Sequence, residues 1–348
     1  MNILGLTRLQ RTARRAANLF RPGAIILLYH RVTELPSDPQ WLCVTRQRFA
    51  EHLKFLQKHT HPLRLQQMVR ALRDGNLPRQ SVVVTFDDGY ADNLYNAKPL
   101  LEHYDIPATV FVTTGYIETK REFWWDELDR LLLQSGTLPE TLRLRIKQNN
   151  YQWELGEAAH YSVDNYERNR SWHVGEQNNP TPRQRLYRSL CPLLRPLSDG
   201  ERQNVLDQLL AWSGAESLSR PTHRTLSSEE IISLADGDLV EVGAHSVTHP
   251  VLSAIQADAQ RNEIRASKNR LETILGRPVS SFAYPFGGRR DYSMETVANI
   301  REVGFSCSCS NFSGNVRRDT DLFQLPRYLV RNWDERQFAE RIMEWFRD

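Results

Sequence analysis

Hydrophobic positions along the chain fall into short, β-branched runs separated by stretches of helical period. Seven runs read as strands, at 24–29, 82–86, 108–112, 239–244, 280–284, 305–309 and 324–330. Between them, Phe49, Leu53 and Leu56 share one helical face in 49–57, and Ile264, Leu271, Ile274 and Leu275 do so in 258–275, where Gly276 and Pro278 predict the stop. Continuous apolar strands alternating with amphipathic helices predict a parallel sheet or barrel of βα units, because strands covered on both faces need no polar alternation.

Residues 121–226 depart from this rhythm. Trp124, Leu128, Leu131 and Leu132 mark a helix; Leu142, Leu144 and Ile146, then Tyr151, Trp153 and Leu155, alternate around Asn149-Asn150 as a hairpin. A second helical part, 184–212, follows the proline-containing NNPTPR, and the polar character of the whole suits an exposed elaboration. Setting this insertion aside leaves about 240 residues, the size of one α/β barrel (roughly 200–250). The expected organisation is a basic N-terminal helix over 1–22 and one barrel over 23–348, interrupted by the insertion 121–226.

Composition narrows the function. No apolar run approaches the ~20 residues that span a bilayer. Lys and Arg number 45 against 42 Asp and Glu, and a net charge of +3 is too small for a general nucleic-acid-binding field, so no nucleic-acid partner is expected. The four cysteines, Cys43, Cys191, Cys307 and Cys309, fit neither a disulfide framework nor a zinc knuckle; Cys307 and Cys309 alternate on one strand and are expected to face one side of its wall. Arg8, Arg11, Arg14 and Arg15 interrupt the opening stretch, which does not read as a secretory signal, so a cytoplasmic protein is expected. Residues 1–20, with Ile3, Leu4, Leu6, Leu9 and Leu19 on the apolar side, suit peripheral contact with the anionic inner membrane face; a solvated helix packed on the barrel is the alternative.

The candidate chemistry gathers at strand ends. Strand 82–86 runs into Asp87-Asp88-Gly89, at the end where parallel α/β folds place their active sites. Adjacent carboxylates repel unless a cation or a shared proton offsets them, which implies a metal; the alternative for Asp88 is a helix N-cap. Strand 239–244 ends in His245-Ser246-Val247-Thr248-His249, whose histidines at i and i+4 can converge on that ion, leaving positions for water and substrate. His249 before Pro250 also reads as a turn residue. His30 ends the first strand, and Gly287-Gly288, after the fifth, would let backbone N–H groups approach a ligand.

These residues resemble a family. TFDDG (85–89), HSVTH (245–249) and YPFG (284–287), in this order, are similar to the first three motifs of the polysaccharide deacetylases, carbohydrate esterase family four, and LLYHRV (27–32) resembles its bacterial poly-β-1,6-N-acetylglucosamine deacetylase subgroup. The resemblance covers the chain outside the insertion and the N-terminal helix. It implies a distorted (β/α)7 barrel and a divalent metal, commonly zinc, on Asp88, His245 and His249. It also implies Asp87 as catalytic base, the Phe286 backbone N–H as oxyanion donor and His30 as the acid that protonates the departing amine.

Two departures stand out. Ala283 occupies the place of the arginine that usually orients the base; Arg327, on the last strand, is the candidate replacement, with a plain interstrand ion pair as the other reading. The insertion also carries His245 so far from Asp88 that Trp125 and Asp126 cannot be assigned to the family's fourth motif by spacing, and an amphipathic helix packed beside the barrel accounts for them equally well. The leading expectation is a metal-dependent N-deacetylase acting on an acetamido sugar of a surface-glycan or lipid-linked glycan precursor. The alternatives are an Fe(II) oxygenase using the same two-His-one-carboxylate set and a non-catalytic glycan-binding barrel.

Overall fold

The computed structural model describes residues 23–347; the basic segment 1–22, with the membrane contact expected of residues 1–20, lies outside the described residues. Seven parallel strands form a curled, open sheet: β1 (Ala24–Tyr29), β2 (Ser81–Phe86), β3 (Ala108–Val112), β4 (Val240–Ala244), β5 (Ser281–Ala283), β6 (Cys307–Cys309) and β7 (Tyr328–Leu329). Their spatial order is β6-β5-β4-β3-β2-β1-β7, with a two-residue segment, His61–Pro62, added beside β2. Between β6 and β7 the regular ladder is open. One parallel bridge, Cys309 to Leu325, spans it, with the Leu325 N–H donating to Ser308 O and the Ser310 N–H to Leu325 O. This is the expected distorted (β/α)7 barrel.

Every residue of β1, β2 and β3 is buried, because each strand packs on both faces. One row, including Ile25, Leu27, Tyr29, Val82, Val84 and Phe86, joins the cluster that holds helices such as Arg46–His59 and Ala257–Leu275. The other row, Ala24, Ile26, Val83, Phe111, Ala283, Cys307 and Cys309, meets Leu65, Met68, Val69 and Leu72 of helix Leu65–Asp74 in a separate cluster. Cys307 and Cys309 therefore share one side of the wall, and all four cysteines are free thiols.

The later strands are shorter than their hydrophobic runs. The run 324–330 yields only Tyr328–Leu329, because Pro326 has no N–H for a ladder and the chain shifts from a bridge with β6 to pairing with β1. Likewise 280–284 and 305–309 shorten to Ser281–Ala283 and Cys307–Cys309.

Within 121–226, helix Trp124–Leu132 and the hairpin Thr141–Ile146/Asn149–Glu154 form as expected. The second helical part is two helices, Pro182–Leu194 and Asp199–Ser213; the second starts at Ser198, whose hydroxyl accepts the Glu201 N–H while the Glu201 carboxylate accepts the Ser198 N–H. The exposed elaboration is corrected to a packed layer: Trp124, Leu128, Leu142, Leu186, Leu190 and Leu209 share an apolar cluster with Tyr90 and Tyr116 from the barrel side. Alternating polar residues hid this core, because each element is amphipathic and buries only one face. Among the described residues no helix is long and apolar enough to cross a membrane.

Candidate metal centre

The centre is assembled by strand ends whose backbones leave the extended conformation. Along β2 the side chains alternate, so Asp87 follows Val83 and Thr85 on the inner row, and an extended Asp88 would point the opposite way. Asp88 instead adopts φ +74°, a left-handed conformation that Asp tolerates better than most residues, and its carboxylate joins the same mouth. Ser246 (φ 63°), His249 (φ 54°) and Phe286 (φ 60°) are left-handed too. Such conformations persist where the surroundings over-determine them. The His245–His249 turn is held in this way by Glu263, on helix Ala257–Leu275: Oε2 accepts the Val247 and Thr248 N–H groups at 2.8 and 2.9 Å, and Oε1 accepts the Thr248 hydroxyl at 2.8 Å.

Asp88, His245 and His249 are buried and offer ligand atoms that all lie within 4.8 Å of one another. The Ala283 carbonyl can only accept, so His245 Nδ1 donates to it at 2.8 Å, and Nε2 presents its lone pair 3.6 Å from Asp88 Oδ1. His249 Nε2 lies 3.4 Å from the same oxygen. Phe123, Trp125 and Phe286 pack around the His249 ring, and its buried Nδ1 has no partner among the described residues.

The electrostatics favour a cation. Burial, the Asp87 charge and the Asp126 charge push the Asp88 carboxyl well above the ordinary range. Burial lowers both histidines, His249 further because His245 and Arg202 add positive charge nearby, so both are neutral ligands at pH 7. A dehydrated carboxylate and two neutral imidazoles converging within this distance match the donor set of a divalent ion such as zinc, which would relieve the repulsion that raises Asp88. Asp88 as a mere helix cap is excluded, since its oxygens face the histidines.

Asp87 is held differently. Arg327 Nη1 donates to Asp87 Oδ1 at 2.7 Å and Nη2 to Oδ2 at 2.6 Å, while Nε binds Ser310 O at 2.7 Å and Nη1 also reaches Thr85 Oγ1 at 3.2 Å. Burial alone would raise the Asp87 carboxyl, but the Arg327 charge, His245 and the two hydrogen bonds outweigh it and hold it below its ordinary value. Arg327, itself fully buried, thus meets Asp87 from just before β7, where a residue at position 283 on β5 would have come from the other side.

His30 and Phe286 line the same cleft, about 290 Å3 in volume. The Phe286 N–H has no acceptor among the described residues, as an oxyanion donor requires. The expectation for the glycines is corrected: Gly288 N–H donates to Asp291 Oδ2 and Gly287 N–H to Pro285 O, so neither is free for a ligand. Their lack of Cβ serves packing, since a Cβ on Gly287 would stand 2.8 Å from Asn311 N. Burial, with Arg331 and Arg327 nearby, pushes the His30 ring down to about 3 despite the Asp87 charge, so it carries no spare proton at neutral pH.

Trp125 and Asp126, unplaced by spacing, belong to the mouth. The Trp125 ring lines the cleft, its Nε1–H donates to Tyr90 Oη at 2.9 Å, and that hydroxyl donates to Asp126 Oδ2 at 2.7 Å. Asn311 and Arg331, also lining the cleft, were not singled out from sequence, since both follow the shortened strands β6 and β7 in stretches without periodicity. The aromatic run FWW was the available signal for Trp125.

The polysaccharide deacetylase family profile matches residues 74–140 and 214–307, passing over most of the insertion. A poly-beta-1,6-N-acetyl-D-glucosamine N-deacetylase of Staphylococcus aureus is 35% identical over 108 residues, 27% of this chain and 37% of the relative, so the match spans little more than a third of that protein. Two solved structures share the fold. IcaB from Ammonifex degensii is 18% identical, with a TM-score of 0.57 over 94% of this chain and 98% of that one. The Streptococcus pyogenes deacetylase PplD in complex with acetate is 17% identical, with a TM-score of 0.56 over 94% and 99%.

Proposed function

The chain belongs to the polysaccharide deacetylase family, and from that premise we propose that it is a metal-dependent hydrolase that removes the N-acetyl group from an acetamido sugar. The observation that carries this reading is the pairing of two distinct carboxylates at one strand end: Asp88 facing two neutral imidazoles, and Asp87 fixed in its ionised form by Arg327. A metal-binding site alone would not need the second.

Asp88, His245 and His249 would hold the ion, and zinc suits two imidazoles and one carboxylate with open positions. Bound there, the ion supplies Lewis-acid polarisation of the acyl carbonyl and a lowered pKa for water. Asp87, ionised at neutral pH, takes the proton of the attacking water; Arg327 holds both its oxygens in place. The unpaired Phe286 N–H donates to the developing oxyanion, which is worth most where water is excluded. The departing nitrogen needs a proton, and His30, neutral at rest, would pass on to it the one that Asp87 takes from the attacking water. The named activity of the Staphylococcus aureus relative supports a β-linked N-acetylglucosamine as the sugar.

Incubating the protein with N-acetylated glycans and defined divalent metals, and measuring free acetate, tests the reading. Metal-dependent acetate release abolished by Asp87→Asn supports it. No release at any metal loading, or turnover by Asp87→Asn accompanied by O2 consumption, refutes it.

A further inference from the structure

Two arginines line the cleft, and they differ in what answers their charge. Arg195, whose guanidinium lies 4.4 Å over the Phe286 ring, donates through Nη2 to both Asp291 oxygens at 2.8 Å. Arg331, two residues past β7, meets no carboxylate among the described residues. Its guanidinium lies 4.5 Å over the Trp41 ring and donates Nη1–H to the Trp41 carbonyl, which fixes the group and uses one nitrogen. Nε and Nη2 have no acceptor among the described residues, and neither is sealed away by them. Burial works against this charge, with only Asp38 compensating at a distance, and pushes it down to about 10.

The other charges of the cleft are accounted for. Asp87 is neutralised by Arg327, Asp291 by Arg195, and Asp88 belongs to the ligand set. Arg331 is what remains. The Asn311 side chain and the His30 ring, on the same cleft, also lack hydrogen-bond partners among the described residues, so the wall is rich in unused donors. A half-buried guanidinium held by stacking with a free edge toward a binding cleft is suited to an oxyanion, which accepts two parallel N–H bonds.

Resting on the deacetylase reading, we propose that Arg331 and Asn311 form an anion subsite, so that the substrate carries a carboxylate or phosphate group next to the acetamido sugar. The structure distinguishes Arg331 from a merely structural arginine because its free edge has nothing to bind among the described residues.

The test compares kcat/KM for three probes on the metal-loaded enzyme: a disaccharide of N-acetylglucosamine and glucuronate, N-acetylglucosamine 1-phosphate, and neutral N,N′-diacetylchitobiose. The expected result is a preference for a charged probe that Arg331→Gln lowers roughly tenfold or more and Arg331→Lys partly restores. Which charged probe responds identifies the source of the anion. Should the variants fold poorly by thermal melting, the wild type decides: raising ionic strength to about 1 M, where screening acts within about 3 Å, raises KM for the charged probe and leaves the neutral one. Equal losses on charged and neutral probes, or salt-insensitive KM values throughout, overturn the proposal. If no probe releases acetate, the deacetylase reading fails on its own. Calorimetry of glucuronate and glucose 1-phosphate then reads the subsite: binding weakened by Arg331→Gln supports it, and no binding by wild type overturns it.

Discussion

Replacing Arg327 with Gln removes the charge that keeps Asp87 ionised and leaves most of the surrounding volume filled. Both groups are buried, with side-chain exposures of 0% and 4%, and the two contacts are 2.6 and 2.7 Å, so the pair is screened little by solvent. Removing one partner of such a pair costs about 3–5 kcal/mol, and at about 1.4 kcal/mol per pKa unit that equals roughly 2–4 units. The carboxyl escapes much of this cost by taking up a proton. From its present position below the ordinary carboxylate value it would rise above it, so the acid limb of kcat/KM against pH should move to higher pH by roughly 2–4 units. Arg327→Lys, which keeps charge without the bidentate fork, should move it less. Stability follows with a definite sign. The folded-state pKa of Asp87 is depressed, so the pair stabilises the fold above the ordinary carboxylate value and that contribution is lost as pH falls through the folded value. Arg327→Gln should therefore lower the melting temperature at pH 7 more than at pH 3, and adding Asp87→Asn should recover part of the loss. An acid limb that stays in place in Arg327→Gln would refute the reasoning, since Asp87 would then be ionised for some other reason.

Two further outcomes are expected. Glu263→Ala removes the carboxylate that accepts three donors of the His245–His249 turn, and metal affinity should fall by roughly 10–100-fold, measured against a competing chelator, with the fold's circular dichroism retained. His30→Ala should lower kcat by about 10²–10⁴ while metal content stays at the wild-type level; because the resting ring titrates at about 3, the wild-type kcat/KM profile should show no limb near pH 6–7 from this residue.

Much of this architecture was legible because burial on both faces writes itself as uninterrupted apolar runs. β1 and β3 match the runs 24–29 and 108–112; Asp87, Asp88 and His245 were locatable because they come straight after such runs, and His249 because it stands four residues beyond His245. The closing strand was overestimated, since Pro326 breaks a run that otherwise reads as continuous. The replacement of the missing arginine by Arg327 could be proposed from the strand it sits on, but its two-oxygen contact with Asp87 depends on β7 lying beside β1, which no local pattern encodes. Glu263 was invisible for the same reason: it is an ordinary polar position on a long amphipathic helix until the His245–His249 turn folds against it. Asp88 needed a conformation that breaks strand alternation, and only the Gly after it hinted at that. The insertion concealed its core because every element in it is half polar, so the apolar layer exists only once helix and hairpin are stacked.

The central claim is that Asp88, His245 and His249 bind one divalent ion. Calorimetric titration of zinc into chelator-treated protein tests it most directly, with Asp88→Ala and His249→Ala run alongside. One ion per chain in the wild type, with binding lost in both variants, is the predicted result. Zinc binding that survives in either variant, or none in the wild type, would contradict it.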